Sequence, residues 1–258
     1  MENGDILKIA FIASPAIEAV AALSELTAIH GNCDPMDADI IVALGGDGFM
    51  LQSQHQFMNS DIPIYGMNKG TVGFLMNEFN VDDLPGRLEN AIQSRIHPLK
   101  MTAIDGDGKT HQALAINEVS LFRQSHQAAK LKIMIDGKTR LEQLACDGVM
   151  VATPQGSTAY NLSAHGPILP LNAPLLALTP VSPFRPRNWK GALLPNTANV
   201  HIEVIAAHKR PVNAVADNIE IKSVISVDIQ EDRQSHGILM FDPEHTWDER
   251  ILAEQFRY

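Results

Sequence analysis

The chain has 258 residues, 45% of them hydrophobic and 19% charged. That balance excludes a disordered chain and supplies enough apolar material for one large domain or two smaller ones. A formal net charge of −10 and an aromatic fraction of 5% argue against a nucleic-acid or anionic-membrane partner, which would call for a basic surface. Cys33 and Cys146 are too few for a disulfide framework or a zinc site. The start "MENGDILKIAFIASP" has acids and one lysine before a short apolar run, unlike a secretory leader, and no run reaches the length of a membrane span. The expected compartment is the cytoplasm.

The first hundred residues alternate between strand and helix patterns. "ILKIAFIAS" (6–14) reads as a buried strand and "PAIEAVAALSELTAIHG" (15–31) as the helix after it. "ADIIVALGG" is a second strand without polar alternation, as in a parallel sheet covered by helices on both faces. "FMLQSQHQFMN" follows as a helix, "IPIYGMN" (62–68) as a third strand, and "VDDLPGRLENAIQS" (81–94) as a helix with an acidic first turn. This order predicts a doubly wound α/β domain over residues 1–96. From residue 97 the pattern changes. "HPLKMTAIDGDGKTHQALAINEVSLFR" and "KLKIMIDGKTRLEQLACDGVMVAT" each hold two strand-like runs joined by Asp-Gly turns, and "NVHIEVIAA" and "IKSVISVDIQ" continue the pattern. A mainly β domain is therefore expected over 97–232. Residues 233–258 end in a helical stretch expected to pack back on the first domain.

Three motif matches fail on spacing. "GKT" at 108–110 and 137–139 lacks the earlier glycine of a phosphate-binding loop, with Ala103 and Lys132 in that place. "DGDGK" (105–109) begins like a calcium loop, but its twelfth position is Ile116 instead of glutamate. "GGDGFM" lacks the third glycine of the dinucleotide fingerprint. Two stretches remain. In "DIIVALGGDGFMLQS" (39–53), Gly45, Gly46 and Gly48 surround Asp47 directly after a strand. Glycines there permit positive φ and close approach to an anion, and the carboxylate can take a proton from a hydroxyl or hold a metal. A glycine-rich turn with a capping aspartate is the plainer alternative. In "DGVMVATPQGSTAYNLSAHGPILP" (147–170), Ser157 or Thr158 at a helix start presents backbone N–H groups to an anion or an adenine edge, and Tyr160 can stack on a flat ring. The alternative is an N-capped helix with a core tyrosine. Ser157 lacks the flanking glycines of a nucleophile elbow.

Taken together, "GGDG" and "DGVMVATPQGSTAYNLSAHGPI" resemble the NAD kinase family, marked by a GGDG turn and a TPTGSTAY-type loop. "GMNKGTVGFL" (66–75) is similar to that family's G-x-x-G-F-L segment and "NE" (117–118) to its Asn-Glu pair, with looser likeness through "PVSPF" (180–184) and "ADN" (216–218). The resemblance implies an α/β domain of Rossmann-like or phosphofructokinase-like type and a mainly β domain, with the active site between them, in a homodimer or homotetramer. It implies phosphoryl transfer from ATP, or from polyphosphate in some members, to the 2′-hydroxyl of NAD's adenosine ribose. A divalent ion, magnesium above all, would offset the phosphate charge. Carried over, Asp47 is the proton acceptor, with Gly45, Gly46 and Gly48 near the phosphates. Asn117 and Glu118 contact the adenosine part, and Asp147 lies toward the nicotinamide end. Thr158, Ala159, Tyr160, Asn161, Leu162 and Ser163 form the loop around adenine and ribose.

The sequence departs from the family pattern at Phe49 in place of threonine, at Gln155 in place of the second threonine of TPTG, and at Ala145 in place of arginine. Asn218 and Ile219 replace the glycine and the His or Gln that usually follow Asp217. These positions bear on donor preference and regulation. "FRPRNWK" (184–190) is the one basic, aromatic patch, read as a solvated loop or a contact to donor phosphates. A lipid or sugar kinase sharing GGDG, or a non-catalytic dinucleotide sensor, is the competing reading. Formation of NADP from NAD, ATP and magnesium separates all three.

Overall fold

The computed structural model describes residues 7–70 and 73–256. Thr71 and Val72 of the "GMNKGTVGFL" segment, Ile6 of the first strand pattern, and residues 257–258 lie outside the described residues. The chain divides into two compact units, one running up to Ile96 and resuming at Ser235, the other His97–Gln234.

The first unit opens with β1 (Ile9–Ala13), α1 (Ile17–His30), β2 (Ile40–Leu44), α2 (Asp47–Gln56), β3 (Ile64–Asn68), β4 (Asn77–Glu78), α3 (Leu84–Asn90) and β5 (Ile92–Ile96). The second carries β6 (Leu99–Asp105), β7 (Thr110–Ala115), β8 (Glu118–Arg123), β9 (Ala129–Ile135), β10 (Lys138–Cys146), β11 (Gly148–Ala152), α4 (Tyr160–Ser163), β12 (Leu175–Val181), β13 (Ala192–Pro195), β14 (Val200–Val204), β15 (Val212–Ala216), β16 (Ile219–Ile221) and β17 (Val224–Glu231). The chain then supplies β18 (Gly237–Phe241) and α5 (Trp247–Gln255) to the first unit.

In the first unit the sheet order is β1-β2-β3-β18-β5, with β4 paired to β3. All pairs are parallel except β18–β5. Every residue of β2 is buried, which explains its unbroken apolar run. On α1 the buried positions Ala19, Ala22 and Leu26 recur at helical spacing, and Gly31, at φ +75°, closes the helix by donating to Thr27 O. Two expectations change here. β1, β2 and β3 lie side by side in chain order, so the reversal of strand order that defines a doubly wound sheet does not occur among them. The helix expected over 81–94 ends at Asn90, and its first turn holds no acid. Ala91 is extended and Ile92–Ile96 pair with β18, because the segment finds a strand partner far along the chain.

The second unit is built on two antiparallel six-stranded sheets, β10-β9-β14-β17-β6-β7 and β13-β12-β11-β8-β15-β16. Residues of both sheets share one core, including Leu131, Ile133 and Val227 from the first and Leu121, Val149 and Leu178 from the second. β9, β14 and β15 alternate buried and partly exposed positions, as strands with one core face should. The Asp136-Gly137 turn has both residues at positive φ, the geometry a two-residue hairpin needs. In the "DGDGK" turn, Asp105 Oδ1 accepts from Asp107 N and Lys109 N, so that segment is a hairpin loop. Among the described residues, no helix is long and apolar enough to cross a membrane.

Candidate functional site

The GGDG turn lies in the first unit, where β2 gives way to α2. Gly46 is the extended N-cap of α2 and its carbonyl accepts from Phe49 N and Met50 N, both at 3.0 Å. The helix therefore begins at Asp47, two residues before the expected start. None of Gly45, Gly46 and Gly48 has positive φ; Gly46 is extended and Gly48 already follows the helical path. Gly46 and Gly48 are open, since a Cβ at either would meet nothing within 4 Å, whereas one at Gly45 would lie 3.1 Å from Ser14 Oγ and from Phe49 Cβ.

The Asp47 carboxylate is held by two backbone amides. Phe74 N donates to Oδ2 at 2.9 Å and Leu75 N to Oδ1 at 3.1 Å. Gly73 makes this approach feasible, since a Cβ there would lie 2.3 Å from Asp47 Oδ2. Thus "GFL" is the seat of the aspartate. The sequence places both motifs but gives no sign that one holds the other. A small cavity of about 80 Å³ borders Gly45, Gly46, Ser14 and Lys69. A larger one, about 510 Å³, is lined by Glu78, Arg87, Asp242 and Glu244 and contains none of the motif residues.

The other expected residues belong to the second unit. β8 starts at the Asn117–Glu118 pair, and Asp217 fixes its backbone. The Asp217 carboxylate accepts from Ile116 N at 2.7 Å, Asn117 N at 3.0 Å and Glu118 N at 3.2 Å. Sequence reading gave Asp217 no role, since nothing local connects it to residues a hundred positions earlier. Glu118 Oε2 is buried without a partner among the described residues. Burial, reinforced by the Asp217 charge, pushes its carboxyl up to about 7.

The "TPQGSTAY" loop packs directly on this pair. Thr153 Oγ1 donates to Ile116 O at 2.7 Å, and Gln155 Nε2 donates to Asn117 Oδ1 at 3.4 Å. A Cβ on Gly156 would fall 2.0 Å from Asn117 O, so only glycine permits the contact. The expected N-capped helix is absent: Gln155–Thr158 form a 3₁₀ turn and α4 has four residues, too few to gather a row of free amides. Ser157 Oγ donates to Pro154 O and accepts from Leu169 N, so it serves the loop's own structure. Tyr160 is not a core residue. It is 42% exposed and stacks on Phe122 with ring centroids 5.6 Å apart, leaving ring surface open.

Thr158 Oγ1 bonds back to Gln155 O, Ala159 N donates to Gly156 O, Leu162 is half-buried and Ser163 is exposed. Asn161 turns inward, in contrast to its neighbours. It is fully buried, donates to Ser157 O and Pro167 O, and accepts from Thr179 Oγ1 at 2.6 Å. Its amide therefore braces the loop. Asp147 precedes β11 and pairs with Arg123 Nε at 2.5 Å, with its side chain still 41% exposed. At Ala145, where an arginine was the family expectation, the backbone bonds to Phe184 N and to Arg185 N and O. Phe184 is 57% exposed, with the guanidinium groups of Arg185 and Arg187 each 5.8 Å from its ring centre. Among the described residues, no group of three or more His, Cys, Asp or Glu side chains is placed to hold a metal ion.

Comparison with known proteins identifies the family. Residues 20–96 match the family model of the ATP-NAD kinase N-terminal domain, and residues 116–238 that of the C-terminal domain. The chain is 62% identical over 248 residues to an NAD kinase of Rhizobium meliloti, covering 96% of each chain. It is 60% identical to one of Brucella melitensis over 98% of each chain, and 55% identical to one of Caulobacter vibrioides over 97% of this chain and 96% of that one. Among solved structures, yeast NADH kinase complexed with NADH has a TM-score of 0.83 at 22% identity, covering 98% of this chain and 90% of that one. An NAD kinase from Archaeoglobus fulgidus in complex with ATP has a TM-score of 0.73 at 21% identity, covering 93% and 95%. Those two likenesses establish the fold, an α/β domain joined to an all-β domain. The full-length identities establish more: the chain is an enzyme of the NAD kinase family, which phosphorylates NAD to NADP.

Proposed function

We propose that this enzyme transfers the γ-phosphoryl group of ATP to the 2′-hydroxyl of NAD's adenosine ribose, with Asp47 accepting the hydroxyl proton. The observation that carries the assignment is the Asp47 carboxylate fixed on two backbone amides beside a bare glycine backbone. A secondary hydroxyl is a poor nucleophile, and a carboxylate already oriented toward it removes its proton as the P–O bond forms. The proton goes to Asp47, the phosphoryl group to the ribose oxygen, and ADP leaves. Otherwise phosphoryl transfer depends chiefly on positioning and charge neutralisation.

Asn117, Glu118, Thr158, Ala159, Tyr160, Leu162 and Ser163 are proposed to surround adenine and ribose. Tyr160's open ring face supports stacking on the purine. Asp147 is assigned to the nicotinamide end, and Asn161 to the loop's support. The substrates follow from the relatives' names and from neighbours described with NADH and with ATP. Among the described residues no cluster of side chains forms a metal cage, so magnesium is assigned to the phosphate oxygens of ATP and no step is given to a protein-bound ion. A cytoplasmic homodimer or homotetramer completes the proposal, to be read by sedimentation.

The decisive variant is Asp47→Asn. It should still bind NAD by calorimetry yet lose about 10²–10⁴-fold in turnover, the usual worth of general-base assistance. Near-normal turnover would remove Asp47 from the base role.

A further inference from the structure

The segment that seats Asp47 is itself held from behind. Residues 73–76 form no regular element, and β4 adds only Asn77 and Glu78. Helix α5, from the end of the chain, brings Arg250 onto this segment. Arg250 Nη1 donates to Phe74 O at 2.9 Å, to Gly73 O at 3.3 Å and to Met76 O, while Nη2 donates to Asn77 Oδ1 at 3.0 Å.

These bonds fall on the same peptide groups that hold the aspartate. Gly73 C=O and Phe74 N–H are the two ends of one peptide unit, and Phe74 C=O and Leu75 N–H are the ends of the next. Each unit is therefore bonded at its oxygen by Arg250 and at its hydrogen by Asp47. A cation on the carbonyl end polarises the peptide and strengthens the N–H at the other end as a donor.

The rest of the neighbourhood fixes Arg250 in turn. Its guanidinium lies 5.2 Å from the centre of the Phe241 ring, and Trp247 packs against Phe74 and Phe241 at 6.0 and 6.3 Å. Asn77 is fully buried, donates to Gly66 O and Met240 O, and accepts from Asp242 N. Burial works against the Arg250 charge, and the carboxylates of Asp47 and Asp242 favour it. A planar fork of five donors suits this cluster of four acceptors; a lysine ammonium, with three donors at one point, does not.

We propose that Arg250 is a positioning residue for phosphoryl transfer, aligning the two peptide units that aim the Asp47 carboxylate. The inference rests on Asp47 being the proton acceptor. Its test is a double-mutant cycle with R250K, D47N and D47N/R250K, alongside hydrogen exchange at the Phe74 and Leu75 amides. R250K should lower kcat by about 10–100-fold while KM for NAD changes less than about threefold, the scale of a small misplacement of a reacting group. In the D47N background the same change should alter residual turnover by less than about twofold, because the group it orients is gone. Exchange at Phe74 and Leu75 should rise at least about tenfold in R250K, with the β2 amides unchanged. Equal losses in both backgrounds, or unchanged kcat and exchange in R250K, would overturn the proposal. If R250K does not fold, R250Q takes its place in the cycle, with the same outcomes. Full activity of D47N would refute the base role instead, and the exchange measurement would still decide whether Arg250 holds the two peptide units.

Discussion

Replacing Glu118 by glutamine isolates the electrostatics of the second unit. In the native protein this carboxyl is half-buried, Oε2 has no partner among the described residues, and the Asp217 carboxylate lies close by. Burial first, and then Asp217, raises it from 4.5 to about 7. The folded state thus binds the Glu118 proton more tightly than the unfolded state does. Between those two values the native protein holds more protons, so its stability falls as pH rises. The contribution of the neutral carboxyl is complete below about 4.5 and lost as pH passes through about 7. A displacement of roughly 2.5 pH units, at about 1.36 kcal/mol each, gives on the order of 3 kcal/mol. The glutamine amide keeps the shape and never ionises, so over about pH 4.5–8.5 E118Q should start level with the wild type, gain on it up to about pH 7, and hold a constant lead above that. At roughly 2–4 °C per kcal/mol for a protein of this size, the gap in Tm should grow by several degrees, read by calorimetric melts across that range. A constant gap between the two proteins over pH 5.5–8.5 would refute the reasoning.

Two glycine substitutions test the close approaches directly. Gly73→Ala places a Cβ 2.3 Å from Asp47 Oδ2 and should cut kcat by at least about 100-fold while KM for NAD stays within about threefold, a misplacement of the reacting group without loss of the binding loop. Wild-type kcat in that variant would mean the carboxylate does not need its seat. Gly156→Ala drives a Cβ to 2.0 Å from the Asn117 carbonyl, a backbone atom that cannot swing aside. It should cost about 1–3 kcal/mol in a urea melt and weaken NAD binding by calorimetry, and unchanged values for both would show that the loop can shift freely.

The local features of this fold were legible because local chemistry determines them. The unbroken apolar run of Ile40–Leu44 and the Asp136-Gly137 turn carry their own geometry, and both appear where the pattern puts them. The TPQGSTAY-type loop was legible as a motif, but its conformation was not. Hydroxyls that look like a helix cap bond instead to loop carbonyls, as Ser157 does to Pro154 and Thr158 to Gln155. Long-range pairing left no local trace. β18 joins β3 in parallel across about 170 residues of chain, and the same strand draws Ile92–Ser94 out of the expected helix. Asp217 and Arg250 were missed for a related reason. Asp217 entered only as part of the loose ADN likeness and Arg250 not at all, and the importance of each lies in the backbone groups that converge on it.

The carboxylates of Asp47 and Asp217 show how similar local architecture can serve different ends. Both are held by amides of consecutive residues, so each is oriented without the entropy cost of ordering a partner side chain. A carboxylate has about four acceptor sites. Asp217 gives three of them to Ile116, Asn117 and Glu118, which suits a group whose task is to fix a strand start. Asp47 accepts one amide on each oxygen, so both oxygens keep acceptor capacity for an incoming hydroxyl. On the proposed role of Asp47, it is this one-amide-per-oxygen pattern that leaves room for the substrate hydroxyl, whereas Asp217 Oδ1 already accepts two amides.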